Sequence, residues 1–130
     1  MKELKLIVNI HKPVKDVFEF TTNPAYTPEW IDSVVKEVSN SYPPQLGTIY
    51  QNWNGEGDMN EYVVTQYEPS KVFQLDATHQ DYKVRYTYTV ISENETKLEY
   101  YEWSELDKLY VPFKQEILDK LKSVMEEQSR

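Results

Sequence analysis

Residues 82–105, YKVRYTYTVISENETKLEYYEWSE, alternate polar and apolar side chains over two segments that a short polar run separates. This alternation is typical of strands with one face in water and one buried, so we predict an antiparallel hairpin of strands 82–91 and 96–105. Charged side chains mark the water-facing side of each strand. The side chains predicted to point inward are Tyr82, Val84, Tyr86, Tyr88, Val90, Leu98, Tyr100, Glu102 and Ser104.

Strand patterns continue towards the N-terminus, with turns at proline and glycine between them. Together with the hairpin they follow one another at a spacing of about ten residues, which is typical of an antiparallel meander. Two stretches with an early proline predict short helices after the first strand. The predicted strands are 1–11, 33–38, 48–54, 59–67 and 72–79, and the predicted short helices are 13–22 and 27–31.

The last segment changes period. Its apolar residues recur at steps of three and four, which predicts one amphipathic helix from Pro112 to about Gln128. Since this stripe is the only large apolar one able to cover the sheet, we predict an α+β fold in which the long C-terminal helix crosses the concave face of a curved, seven-stranded antiparallel sheet. One helix covers less than the sheet offers, so either bulky side chains fill the remainder or a ligand cavity stays open.

The composition narrows the possible functions. A chain of 130 residues, of which 39% are hydrophobic and 28% charged, is typical of one domain, so we predict a single domain over residues 1–130. The net charge of -8 disfavours binding to a phosphate backbone, so we expect no nucleic-acid partner. The sequence has no cysteine, no apolar run of membrane-spanning length and no signal-peptide core. We therefore expect a cytoplasmic protein without stable membrane insertion.

Three local strings, taken with the order of elements, resemble a known family. They are KPVKDVF at 12–18, NPAYTPEW at 23–30 and YEPSK at 67–71. The chain resembles the START-like, or SRPBCC, helix-grip superfamily, which includes Bet v 1-like and polyketide cyclase/dehydrase-like proteins. The resemblance implies the helix-grip fold and the binding of a lipid, polyketide or other hydrophobic molecule in a cavity between sheet and helix. It implies catalysis for only some members.

The cavity wall is predicted to be rich in tyrosine, of which the chain has eleven. Alternation leaves the inward face of strands 48–54 and 59–67 open, and core packing is an alternative role for each aromatic residue there. The predicted ligand-binding residues are Trp30, Trp53, Tyr62, His79, Tyr82, Tyr86, Tyr88, Tyr100, Glu102, Phe113 and Ile117.

Glu102 is the candidate catalytic residue, because a carboxylate on the inner face of a sheet needs partners to offset the cost of its burial. If Val90 pairs with Leu98, Tyr86 lies opposite Glu102 and can donate to it. Two roles stay open at this point. Glu102 is either solvated or hydrogen-bonded for structural reasons near the end of the sheet, or it has a functional role, which is to orient a ligand or to act as a general acid or base.

The two histidines do not predict a metal site. His79 lies beside a predicted turn, near an opening or simply at the surface, and His11 lies at another strand end. The sequence contains no cluster of histidines and carboxylates at metal-ligand spacing, no nucleophile elbow and no phosphate-binding glycine loop. We predict no metal and no cofactor.

Three functions remain in view. The sequence favours a binding protein or carrier for a small hydrophobic or aromatic molecule over an enzyme. The alternative is a small cyclase-, dehydrase- or hydrolase-like enzyme in which Glu102, assisted by Tyr86 or Tyr100, moves a proton. A third reading is a protein-interaction module or homodimer that uses an exposed Trp103 on the outer face.

Overall fold

The computed structural model describes residues 1–106, 109 and 112–127. In chain order a first strand is followed by two short helices, six strands and a longer helix. The elements are β1 (Lys2–Ile10), α1 (Val14–Thr22), α2 (Thr27–Trp30), β2 (Lys36–Ser39), β3 (Ile49–Trp53), β4 (Met59–Glu68), β5 (Val72–Ala77), β6 (Lys83–Ser92), β7 (Glu95–Ser104) and α3 (Gln115–Glu127). The predicted α+β order is confirmed.

The seven strands form one curved antiparallel sheet in the order β1-β7-β6-β5-β4-β3-β2. Consecutive strands from β2 to β7 are neighbours, as the even spacing of the strand patterns predicts for a meander. β1 pairs along its whole length with β7, so the first strand closes one edge of the sheet and β2 forms the other. The predicted helix-grip fold is confirmed.

α3 packs the apolar stripe of the C-terminal segment against the concave face. Leu118 and Leu121 have no exposed surface, and Met125 is 4% exposed. The helix begins at Gln115 and not at Pro112 as predicted. The backbone N–H of Phe113 donates to Oε2 of Glu102 on β7, so the residues before the helix are held against the sheet. Val111 and the predicted end at Gln128 lie outside the described residues.

The register of the β6–β7 hairpin differs from the predicted one by two residues. Val90 pairs with Thr96, Tyr86 with Tyr100, and Val84 with Glu102. The cause is the turn, since an irregularity after Val90 brings Ser92 opposite Glu95 and leaves a tight connection. A shift by two keeps the predicted faces, because side chains alternate with a period of two.

Two predictions about exposure were wrong. Val90 was predicted to point inward, but it is 58% exposed because it lies at the end of the hairpin, next to the irregularity. Trp103 was predicted to be exposed, but it is 9% exposed. On the outer face of the sheet its ring stacks on Tyr101 at 4.9 Å, and the guanidinium of Arg85 lies 5.1 Å from the ring centre. Trp103 is therefore covered by its neighbours, and homodimerisation stays a prediction.

Hydrogen bonds of two tyrosine hydroxyls connect α1 to the sheet. The hydroxyl of Tyr88 on β6 lies 2.6 Å from the hydroxyl of Thr21, and the hydroxyl of Tyr50 on β3 donates to the carbonyl of Thr22 at 2.6 Å. The ring of Phe18 packs edge-on against Tyr88. These contacts hold the short helices at one end of the sheet, beside α3. Among the described residues, no helix is long and apolar enough to cross a membrane.

Candidate functional site

A cavity of about 370 Å³ lies between the concave face of the sheet, the short helices and α3. Its volume falls within the range of small-molecule sites, about 300–1,000 Å³. The wall combines aromatic, aliphatic and uncharged polar side chains with two carboxylates. The lining residues are Thr21, Thr27, Trp30, Ile31, Ser33, Val34, Glu37, Tyr50, Asn52, Asn54, Asn60, Tyr62, Phe73, Leu75, Gln80, Asp81, Tyr82, Val84, Tyr86, Tyr100, Leu109, Pro112, Phe113 and Ile117.

Strand alternation determines which side chains reach the cavity. On β5 and β6 the inner positions, Phe73 with Leu75 and Val84 with Tyr86, form the apolar floor. On β3 and β4 the inner positions turn polar, because Asn52 and Asn60 lie opposite each other in the register. The cavity therefore has an apolar end and a polar end.

Most of the predicted ligand-binding residues are brought together on this wall. For Tyr82, Tyr86 and Tyr100 the face could be predicted, because charged residues occupy the alternate positions of the same two strands. The structure places Trp30, Tyr62, Tyr82, Tyr86, Tyr100, Phe113 and Ile117 on the cavity. Whether they bind a ligand stays a prediction.

Trp53 and His79 do not line the cavity. Trp53 lies on the outer face of β3, since Tyr50 and Asn52 take the inner positions, and the ammonium of Lys36 lies 5.3 Å from its ring centre. His79 follows the end of β5, with 79% of its side chain exposed, and its Nε2 lies 3.6 Å from Oε2 of Glu61. The structure contradicts both predictions, because alternation turns Trp53 outward and His79 lies beyond the end of β5.

Tyr88 points inward as predicted but belongs to the packed core. It is 5% exposed, its hydroxyl is bound to Thr21, and its ring packs against Phe18. α1 covers this part of β6, so Tyr88 is separated from the cavity that Tyr86 lines. Its predicted role in ligand binding is therefore corrected to a structural one.

Glu102 is buried behind the cavity wall and has no exposed surface. Its Oε1 accepts hydrogen bonds from the hydroxyls of Tyr100 at 2.7 Å and Tyr82 at 2.9 Å, and its Oε2 accepts one from the backbone N–H of Phe113 at 3.3 Å. The predicted phenol partners exist, but they are Tyr82 and Tyr100 and not Tyr86, because of the register. Glu102 does not line the cavity, so it lacks the access that the predicted catalytic role requires.

The phenols around Glu102 remain donors at neutral pH. Burial raises the pKa of Tyr82 and Tyr100 well above their usual range, and the charge of Glu102 adds to the effect. The two hydroxyls also lie 2.9 Å from each other. This cluster joins β6, β7 and the segment before α3, so its role is to fasten the end of the sheet to the C-terminal helix.

Glu37 is one of the two carboxyl groups on the cavity wall, and the sequence did not reveal it. It lies half-buried on the edge strand β2. Its Oε1 accepts a hydrogen bond from the hydroxyl of Thr27 at 2.5 Å, and its Oε2 accepts one from Nδ2 of Asn52 at 3.1 Å. Burial raises the pKa of Glu37, although these two hydrogen bonds act in the opposite direction.

Charge could not assign the face of β2, because Lys36 and Glu37 are both charged and point to opposite sides of the strand. The useful signal is the pairing with β3. Glu37 lies opposite Asn52, an amide that can donate to it. Without the register between these strands, Glu37 looks like any other surface carboxylate.

Several donors on the wall have no protein acceptor. Trp30 is 1% exposed, and its Nε1 has no hydrogen-bond partner among the residues that the structure describes. Its ring packs edge-on against Tyr86 and Phe113. The hydroxyls of Tyr62 and Tyr86 likewise make no hydrogen bond within residues 1–106, 109 and 112–127. Burial raises the pKa of Tyr62 to about 12, with a smaller effect of the charge of Glu37.

All the charged side chains on the described part of the cavity wall are acidic. Its lining residues within the described part of the chain include no Lys, Arg or His, and two carboxylates, Glu37 and Asp81. Asp81 accepts hydrogen bonds from the backbone N–H groups of Glu105 and Leu106, which lower the pKa of Asp81. The described residues contain no group of three His, Cys, Asp or Glu side chains that could hold a metal ion.

Comparison with known proteins shows the fold. No family model matches the sequence, and no curated protein is significantly similar to it. Among solved structures, the chain is similar to XoxI of Bacillus cereus, with a TM-score of 0.76 and 10% identity over 100% of this chain and 99% of that chain. It is also similar to norcoclaurine synthase of Thalictrum flavum, solved with a transition-state analogue, with a TM-score of 0.72 and 9% identity over 99% and 96% of the two chains.

A further similar structure is the di-domain ARO/CYC protein BexL from the BE-7585A biosynthetic pathway. The TM-score is 0.68 at 12% identity, over 100% of this chain and 43% of that chain. These identities are too low to transfer an activity, because one fold hosts many functions. The similar structures show the fold alone, and the chain has the helix-grip fold.

Proposed function

We propose that this protein binds a small, largely aromatic or hydrophobic molecule in the cavity between the sheet and α3. The observation that carries the proposal is the 370 Å³ cavity, whose wall combines an apolar floor with the hydroxyls of Tyr62 and Tyr86, which have no protein partner among the described residues. A bound molecule would cover the apolar floor, and an acceptor atom on it would receive a hydrogen bond from one of these hydroxyls.

Ligand binding is tested by thermal stability. Because a ligand that binds only the folded state stabilises it, a concentration of 100 times Kd adds about 2.7 kcal/mol and raises Tm. The compounds to be tested form a panel of biphenylethanol, naphthols, flavonoids and medium-chain alcohols. At least one of them is expected to raise Tm in a saturable way.

A variant that blocks the cavity makes the test specific. Val84→Phe places a larger side chain on the floor, and Leu75→Phe does the same from β5 if the first variant folds poorly. Thr89→Phe is the matched control, because Thr89 is exposed on the outer face of the same strand. The proposal requires that blocking removes the shift and the control keeps it. No shift across the panel, or shifts that persist in both blocked variants, would contradict it.

A second candidate function is proton-transfer catalysis in the same cavity, and Glu37 favours it. Its carboxyl group combines a raised pKa with direct access to a bound molecule, the properties of a general acid or base. Once a ligand is identified, Glu37→Gln tests the role by turnover of that ligand. Loss of turnover with binding retained would support an enzyme, and a ligand recovered unchanged from the wild-type protein would support a carrier.

A further inference from the structure

The polar end of the cavity favours a positively charged group on a ligand, because the carboxylate of Glu37 can accept more hydrogen bonds than the protein donates to it. A carboxylate offers about four lone-pair sites. Thr27 and Asn52 use one on each oxygen, so each oxygen can still accept from a bound molecule. Among the described residues Glu37 has no ion-pair partner, and the nearby Lys36 lies over Trp53 on the other face of the sheet.

The aromatic surroundings favour a cation as well. Trp30, Tyr50, Tyr62 and Tyr86 line the same cavity as Glu37, and aromatic rings attract cations through their faces. The wall presents no Lys, Arg or His within the described ranges, so an anionic group would meet two carboxylates and no counter-charge. The net charge of -8 also raises the local concentration of cations around the protein.

We propose that the ligand is an amine carried on an aromatic body, with its ammonium group on Glu37 and its ring on the floor formed by Phe73, Leu75 and Tyr86. This inference rests on the proposed function and names the chemical class that the cavity takes. The ammonium donates to the free lone pairs of Glu37. The hydroxyls of Tyr62 and Tyr86, a second observation independent of the carboxylates, have no protein partner among the described residues and are available donors to an acceptor atom on the same molecule.

Protonation of Glu37 and binding of the amine are linked. An ammonium group beside Glu37 favours the carboxylate, so binding of the amine lowers the pKa of Glu37, and protonation of Glu37 weakens binding. Among the described residues, the charge of Glu37 acts on the phenols of Tyr50, Tyr62 and Tyr86, which burial keeps protonated. Alkylammonium groups titrate near pH 10, so the affinity for the amine rises with pH through the pKa of Glu37.

The test compares three molecules with one apolar body, biphenylethylamine, biphenylethanol and biphenylacetate, by isothermal titration calorimetry at pH 8. Because charge-assisted hydrogen bonds are the stronger ones, the amine is expected to bind about tenfold more tightly than the alcohol. The acid is expected to bind about tenfold more weakly than the alcohol, because it meets Glu37 and Asp81.

Two variants assign the preference to Glu37. Glu37→Gln removes the charge and keeps the shape, so the amine should lose its tenfold advantage while the affinity for the alcohol changes less than about threefold. Glu61→Gln is the control with the same change in net charge, since Glu61 lies off the cavity, and should keep the advantage.

The outcomes separate this inference from the proposed function. Alcohol binding without an advantage for the amine would overturn the inference and leave the proposed function standing. An advantage that survives in Glu37→Gln would overturn it too. If none of the three molecules binds, the inferred ligand class, an amine on an aromatic body, is wrong. The wider set of compounds in the thermal-stability test then decides the proposed function separately.

Discussion

The hydroxyl of Thr27 donates a 2.5 Å hydrogen bond to Oε1 of Glu37, joining the start of α2 to the edge strand β2 across the polar end of the cavity. Thr27 is 4% exposed, so this bond is shielded from water. The sequence pattern predicts Thr27 at the start of a short helix. In the structure its hydroxyl does not cap the helix but donates its hydrogen bond to the carboxyl group of Glu37.

The first prediction concerns this bond. Thr27→Val keeps the shape of the side chain and removes the donor, so the pKa of Glu37 should rise further, because the hydrogen bond opposes the effect of burial. The measurement is an NMR titration of the side-chain carboxyl carbon. Thr48→Val is the control, since the hydroxyl of Thr48 bonds to Ser41 and Gln45, which do not contact Glu37. A pKa of Glu37 that falls in Thr27→Val would contradict the assigned role.

The second prediction is the pH dependence of stability. The folded pKa of Glu37 lies above its unfolded value of about 4.5. Its contribution to stability is therefore complete below that value and is lost as pH rises through the folded pKa. Relative to the wild-type protein, Glu37→Gln should gain stability as pH rises from 4.5. Urea unfolding at a series of pH values measures this difference.

Glu61→Gln is the control of opposite sign. Hydrogen bonds from Gln51 and Thr78 lower the pKa of Glu61, so its contribution is present above the unfolded pKa and is lost as pH falls. This variant should lose stability relative to the wild-type protein as pH rises. Curves of the same sign for the two variants would contradict the environment assigned to Glu37.

The third prediction separates two tyrosines of β6. Tyr88→Phe removes the 2.6 Å hydrogen bond to Thr21 and should lower the free energy of unfolding by about 1 kcal/mol, with ligand affinity unchanged. Tyr86→Phe removes a hydroxyl that has no partner in the described part of the chain, so it should leave stability nearly unchanged. If Tyr88→Phe weakened binding more than Tyr86→Phe, the placement of the cavity would be wrong.

The fourth prediction concerns the buried cluster. Glu102→Gln replaces an acceptor of three hydrogen bonds with a group that turns donors towards Tyr82, Tyr100 or the N–H of Phe113. The free energy of unfolding should fall by about 1–3 kcal/mol. Glu99→Gln, on the outer side of the same strand, is the control and should change it little. Equal effects of the two variants in urea unfolding would contradict a fastening role for Glu102.

Sequence alone predicts the fold well because its signals are local. The alternation in β6 and β7 determines their faces, and the change of period at the C-terminus identifies α3. The register of the hairpin was not predictable, because it depends on the turn after Val90. The predicted inward and outward faces of the two strands are unaffected by this error, because the register differs by two residues.

The site is less visible in the sequence than the fold. The wall formed by Tyr82, Tyr86 and Tyr100 was predicted because charged neighbours determine the parity of its strands. Glu37 was missed because a charged residue on a short edge strand is typical of a solvated position. Its burial depends on Thr27 and Asn52, which the fold brings together from two other elements.

The most direct test of the central claim uses Trp30 as a reporter inside the cavity. The chain has three tryptophans, and replacing Trp53 and Trp103, which lie off the cavity, with Phe leaves Trp30 as the single tryptophan. On titration with biphenylethylamine, excited at a wavelength that the ligand does not absorb, the account predicts a saturable change in Trp30 emission that Val84→Phe abolishes. Calorimetric binding that leaves Trp30 emission unchanged, or a change that persists in Val84→Phe, would contradict it.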